Sequence, residues 1–209
     1  MDFEKQISAL HSQPIPHSVM LSLLKNYKRP NDKIHEMIQK GELLSLKKGL
    51  YTLNSELLPE PFAVANAIYG PSYISAESAL SFRGIIPEKV FSIVSMTLKR
   101  SKNFKNQLGN FEFIKIPAPY YAFGIEQVEL RANQFALMAT AAKAIMDKVV
   151  TTPGIILRSV DSAETFMLEN MRMDENQLKE LNTAEMQSWI SGAPKEDSLK
   201  FLIKAIEKL

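Results

Sequence analysis

Pro30-Asn31-Asp32-Lys33-Ile34-His35-Glu36-Met37-Ile38-Gln39-Lys40-Gly41-Glu42-Leu43-Leu44-Ser45-Leu46-Lys47-Lys48-Gly49-Leu50-Tyr51-Thr52-Leu53 is the stretch that decides the fold. Ile34, Met37 and Ile38 recur at i, i+3 and i+4, the spacing of one helical face. Gly41 falls where a helix over 30–40 needs a left-handed residue to stop. Residues 42–46 and 50–53 then read as two strands, with Lys47-Lys48-Gly49 as the turn and Gly49 supplying its positive φ. Toward the N-terminus, Phe3, Ile7 and Leu10 share a helical face over 2–11, which ends before Pro14 and Pro16. A second helix over 16–25 places Val19, Met20, Leu23 and Leu24 on one side. Pro16 suits its first turn, where the missing N–H would have had no partner. Asn26-Tyr27-Lys28-Arg29 is the polar break before the third helix.

Three short helices and a lysine-tipped hairpin predict a winged helix-turn-helix domain over residues 1–56. If Ile34, Met37 and Ile38 anchor the third helix from behind, its other side offers Asn31, Asp32, Lys33, His35, Glu36 and Gln39 to a groove. Asn31 and Gln39 match an adenine edge, and Lys33 a guanine. Lys28, Arg29 and Lys40 bracket the helix, while Lys47 and Lys48 tip the hairpin where phosphate contacts would fall. Between Lys25 and Lys48 stand seven basic and three acidic residues, a local +4 against +2 for the whole chain. Asp32 and Glu36 would repel phosphate, although either can accept from a cytosine amino group. Two readings stand side by side: duplex DNA binding, or a protein-docking domain whose lysine turn is only a solvated tip.

Asn54-Ser55-Glu56-Leu57-Leu58-Pro59-Glu60-Pro61 reads as a linker to a larger mixed domain over residues 57–209. Seventeen basic and seventeen acidic residues leave that domain formally neutral. Residues 62–69 predict a buried helix stopped by Gly70-Pro71, and Ser75 an N-cap for a helix over 76–83. Strand patterns follow over 90–99 and 111–117, with a basic loop or splayed hairpin over 100–110 between them. Further strands are expected over 120–123, 125–130 and 134–138. From Thr140 onward the chain predicts helices, over 140–150, 161–171, 174–181, 183–190 and 195–209. The fold class expected is therefore α+β, with a helical C-terminal part. Lys99, Arg100, Lys102 and Lys105 cluster around Phe104. They read either as a second nucleic-acid contact, with Phe104 free to stack, or as lysines that keep an edge strand from mispairing. Trp189 and the ten methionines read as core, with Met167, Met171 and Met173 as a possible partner face.

Composition narrows the chemistry. The chain has 209 residues, 45% hydrophobic and 23% charged, which is ordinary globular usage. There is no cysteine, and the three histidines all precede residue 36, so no Ser-His-Asp or Cys-His system fits within the larger domain. Phosphate-loop, dinucleotide-loop, zinc-helix and nucleophile-elbow motifs are missing from the sequence. No enzyme activity, no metal and no cofactor are expected. Carboxylate chemistry on a polyanion is the residual enzymatic reading. The N-terminal sequence lacks a secretory pattern and no apolar run reaches ~18 residues. A cytoplasmic protein without membrane contact is expected.

Some segments resemble a known family. Lys48-Gly49-Leu50-Tyr51 ends the hairpin, and Gly70-Pro71-Ser72-Tyr73-Ile74-Ser75-Ala76-Glu77-Ser78-Ala79-Leu80 is the most specific stretch. Gly84-Ile85-Ile86-Pro87-Glu88, Thr97-Leu98-Lys99-Arg100 and Ala139-Thr140-Ala141-Ala142-Lys143-Ala144-Ile145-Met146-Asp147 follow. Together these resemble the AbiEi family, antitoxins of abortive-infection (type IV) toxin–antitoxin systems. The resemblance implies a bacterial repressor of its own operon that binds an inverted-repeat operator in duplex DNA. It also implies an antitoxin acting against a nucleotidyltransferase-like toxin, with Lys99 and Arg100 as the larger domain's share of the DNA contact. The Ala141-Ala142-Lys143-Ala144 segment departs from the family's frequent Pro-Glu-Lys-Ala. The alternative is a protein-interaction module that docks on a toxin without a physiological DNA site.

Overall fold

The computed structural model describes residues 3–131 and 133–209, and no side chain before Gln6. The expected start of the first helix at residue 2 and the place of Phe3 on its apolar face lie outside what is described. Among the described residues the chain is mixed α+β, with eleven α-helices, a π-helical turn and two sheets.

The first sheet is small. Helix α1 (Phe3–Ser8), strand β1 (Ile15–Pro16), helices α2 (His17–Leu23) and α3 (Pro30–Gln39), and strands β2 (Leu43–Lys47) and β3 (Leu50–Leu53) follow in order. The sheet order is β1-β3-β2, antiparallel throughout. Strand β1 was not expected: two residues carry no period, and it exists by pairing Ile15 with Tyr51. Ile7, Ile15, Met20, Leu24, Ile34, Met37, Leu43 and Tyr51 form the core of this part. Val19, expected on the buried side of α2, is 37% exposed, because Met20 and Leu24 take the inward positions. Gly41 takes φ +72 after α3, and Gly49 takes φ +80 in the hairpin turn.

The second sheet has the order β6-β7-β5-β4-β9-β8. Its strands are β4 (Ser72–Ile74), β5 (Ser92–Thr97), β6 (Lys102–Asn106), β7 (Gly109–Lys115), β8 (Ile125–Arg131) and β9 (Gln134–Ala139). Strand β4 sits between β5 and β9, all three of its residues are buried, and it runs parallel to β9. The basic segment after Arg100 is an ordered antiparallel hairpin, β6 with β7. Helix α4 (Pro61–Ile68) packs on β9 and β4, while α5 (Ala76–Phe82) packs on β5 and α7 (Ala141–Thr151).

One expectation fails here and another holds in position only. Residues 120–123 are not a strand: α6 (Ala118–Tyr121) holds Tyr120, with Pro117 at its N-cap and Pro119 in its first turn, where a missing N–H costs nothing. Ser75 stands at the N-cap of α5, but its side chain caps nothing; its hydroxyl donates instead to Asp147 Oδ2 at 2.6 Å.

The C-terminal helices are α8 (Val160–Glu164), α9 (Glu175–Lys179), α10 (Thr183–Ser188) and α11 (Glu196–Lys208). Helix α8 runs on as a π-helical turn over Thr165–Asn170, closed by the Met171 N–H donating to the Phe166 carbonyl. Met167, Met173 and Trp189 are core, and Met171 is half-buried. Leu46 and Leu50, on β2 and β3, belong to the larger core rather than to that of the N-terminal part. The hairpin is thus shared across a boundary drawn at residue 56.

Candidate nucleic-acid interface

Helix α3 buries Ile34 and Met37 against α2 and β2, and Ile38 is half-buried. Asn31, His35, Gln39 and Lys40 are exposed on its other side, together with Asp32 and Glu36. Lys28 and Arg29, in the break before it, are exposed as well. The polar face is therefore open to a partner. Its charges are partly spoken for: Arg29 lies 3.6 Å from Asp32, and Lys33 and Lys40 reach the Glu36 carboxylate at 3.2 and 2.6 Å. Lys40 first, then Lys33, hold Glu36 below the usual carboxylate range, and Glu36 raises Lys40 in turn. His35 Nε2 and Gln39 Nε2 stand 3.4 Å apart one turn along. Asn31, His35 and Gln39 are left as the part of the face outside these ion pairs.

The hairpin lysines divide. Lys48 is exposed in the turn, whereas Lys47 bends toward the larger part and donates to the Ile68 carbonyl at the end of α4 at 2.5 Å. Lys99 donates to the carbonyl of Gly70, two residues further along the chain. Burial pushes the Lys47 ammonium below its ordinary pKa, and the positive charges of Lys99 and Lys102 push it further. Lysines more than fifty residues apart in sequence thus stand within electrostatic reach around one helix end. Carbonyl oxygens at a helix C-terminus favour that crowding of cations. Arg100 is exposed beside them, and its own carbonyl accepts from the Tyr69 hydroxyl at 3.2 Å.

Phe104 sits under this layer and is not free to stack on a base. Its ring meets those of Tyr69 and Phe113 at 5.5 and 5.7 Å, and Lys102 lies 4.9 Å from its centre. Lys99 lies 5.2 Å from the centre of Tyr69. The aromatic cluster gives Lys99 and Lys102 each a π face to lie against. The structure groups Lys47, Lys48, Lys99, Arg100 and Lys102 around the hairpin, and keeps Lys28, Arg29, Lys33 and Lys40 with α3 and its carboxylates.

Asn106 was missed by the sequence reading. Its Nδ2 donates to the Leu46 carbonyl at 3.0 Å, tying β6 to β2, while its Oδ1 accepts from the Leu108 N–H at 2.8 Å. An Asn opening the Asn106-Gln107-Leu108-Gly109 turn gives a local signal for the second bond and none for the first. A buried network was missed too. Lys143 Nζ donates to Asp147 Oδ1 at 2.7 Å and to the Tyr120 carbonyl at 3.0 Å, and Tyr73 and Ser75 donate to Asp147 Oδ2. Neither Lys143 nor Asp147 is exposed, so the pair cannot meet a substrate from solvent. Among the described residues, no three His, Cys, Asp or Glu side chains converge as a metal site requires, and no helix is long and apolar enough to cross a membrane.

No protein-family model and no curated protein matches the chain. Its structure is similar to the crystal structure of the RV2827C protein from Mycobacterium tuberculosis, with a TM-score of 0.64 and 13% sequence identity. The match covers 97% of this chain and 76% of that one. Identity this low speaks for the fold alone.

Proposed function

We propose that the chain is a DNA-binding transcriptional repressor whose N-terminal part is a winged helix-turn-helix. The element order α1-β1-α2-α3-β2-β3 with sheet order β1-β3-β2 supports that reading. In it, α3 presents Asn31, His35 and Gln39 to base edges, and the hairpin lysines hold phosphates. One observation carries the proposal: Lys47 of the hairpin stands beside Lys99 and Lys102 of the larger part. Two basic groups that the sequence keeps apart make one surface, and a local concentration of positive charge of this kind attracts a polyanion. Fluorescence anisotropy with duplex from upstream of the chain's own gene tests it. Tight binding that weakens steeply between about 50 and 200 mM salt is expected. No duplex binding at the lowest salt rejects the proposal.

The antitoxin role rests on the sequence resemblance to the AbiEi family and joins the same proposal. Co-expression with a neighbouring nucleotidyltransferase-like gene product is its test, and relief of growth arrest is the expected result. A second reading, a protein-docking module without a physiological DNA site, is favoured by Phe91. Its side chain is 90% exposed at the lip of a cleft of about 440 Å³ lined by Ile86, Val94 and Met171. Retention of a partner by variants that have lost all duplex binding would favour this second reading.

A further inference from the structure

We infer that Asn106 is a positioning residue for duplex binding: it fixes the hairpin lysines against Lys99 and Lys102 so that both groups engage one backbone as a rigid unit. This rests on the DNA-binding reading above. Asn106 touches no nucleic acid in this scheme and acts through Leu46 and the residue after it, Lys47.

Three contacts make the seam. The Asn106 amide holds the Leu46 carbonyl at 3.0 Å, the Lys47 ammonium holds the Ile68 carbonyl, and Leu46 and Leu50 sink into the larger core. Leu46 immediately precedes Lys47 in β2, so the bond to Asn106 sets where that lysine leaves the strand. A wing in a DNA-binding domain can be a mobile arm that orders on the duplex. This one is already ordered by contact with β6, and the ordering entropy is spent on folding rather than at binding. Lys102 opens the same strand that Asn106 closes, so one five-residue element carries a phosphate-facing cation at one end and the tie to the wing at the other.

The two amide atoms of Asn106 can be separated by substitution. Asn106→Asp keeps an acceptor for the Leu108 N–H, and with it the β6–β7 turn, but loses the donor to Leu46. Asn106→Ala loses both without adding charge. Gln107→Glu places the same negative charge one residue along, on an exposed side chain outside the seam. The full chain of each variant is titrated with a mixed-sequence duplex of ~30 base pairs across about 50–200 mM salt. Asn106→Asp and Asn106→Ala are expected to weaken binding about three- to tenfold and to flatten the salt dependence by about 0.9 for each phosphate no longer engaged. Gln107→Glu is expected to keep the wild-type slope. Amide exchange at residues 46–48, read without DNA, is expected to quicken in both Asn106 variants while exchange in β5 and β7 stays unchanged.

If both Asn106 variants keep the wild-type affinity and slope, the positioning role is overturned and the DNA-binding reading stands. An equal drop in Asn106→Asp and Gln107→Glu, with Asn106→Ala unchanged, assigns the effect to charge and overturns it as well. Wild-type protein that binds no duplex at the lowest salt overturns the DNA-binding reading, and the inference goes with it.

Discussion

Lys143 and Asp147 stand one turn apart on α7, and their side chains meet at 2.7 Å with neither exposed to solvent. The Asp147 carboxylate also collects the Tyr73 and Ser75 hydroxyls, from the strand β4 and the residue that follows it. A buried carboxylate with three donors binds the central strand to the helix that crosses it. Asp147→Asn leaves the ammonium buried without a counter-charge, and a loss of about 3–5 kcal/mol is expected on urea unfolding. Replacing both, as Lys143→Met with Asp147→Leu, removes the uncompensated charge. Its cost is expected to fall well short of the sum of the two single changes. Wild-type stability in Asp147→Asn would contradict this account.

The same network makes stability fall at alkaline pH. Burial first, and the Asp147 carboxylate second, push the phenols of Tyr73 and Tyr120 far above their ordinary 10.0. Above pH ~10 the unfolded chain releases phenolic protons that the folded chain keeps, so stability drops by about 1.4 kcal/mol per pH unit for each group. Lys143 works the other way over a limited window. Burial lowers it below its ordinary 10.5 against the pull of Asp147, so its contribution rises with pH up to that value and no further. Beyond it the tyrosines are no longer offset by Lys143. Tyr73→Phe is expected to make the alkaline slope shallower by about 1.4 kcal/mol per pH unit, measured by denaturant titration between pH ~10.5 and 11.5.

Gly124 is the tightest glycine. A Cβ there would lie 2.7 Å from Lys143 Cβ and 2.8 Å from the Trp189 ring, and φ is +59. Gly124→Ala adds overpacking to a left-handed backbone, together about 2–5 kcal/mol. Gly154, at φ +80 with nothing within 4 Å, pays only the backbone part, about 1–2 kcal/mol. Thermal unfolding of the two alanine variants checks the difference. Equal melting temperatures would remove the crowding argument.

Most of what depends on local period was readable in the sequence, Val19 on α2 being an exception. Ile34 and Met37 mark α3 by spacing, and the alternation through Phe111 and Phe113 marks β7. The aromatic run after Pro119 suggested a strand, because aromatics favour strands, yet prolines at the N-cap and in the first turn selected a helix. Ser75 carried a local cap signature that a carboxylate 72 residues away overrode. The bond from Asn106 to Leu46 spans 60 residues, and no pattern within either segment announces it. The basic residues were identifiable one by one. Their grouping around the end of α4 was not, since it depends on where the hairpin docks.

Recognition and anchoring should separate by variant. Asn31 is exposed near the start of α3 with no charge of its own. In the proposed complex it reads a base edge, worth about 1–3 kcal/mol at one position. Lys48 is exposed in the hairpin turn, and in the same proposed complex it meets only phosphate. Lys48→Glu is therefore expected to weaken binding to operator and unrelated duplex alike and to reduce the salt slope by about 1. Asn31→Ala is expected to leave the slope unchanged and to relax preference at a single base pair, as read by competition with singly substituted operators. A loss of slope in Asn31→Ala, or a sequence-selective loss in Lys48→Glu, would reverse the assignment of helix and hairpin to bases and backbone.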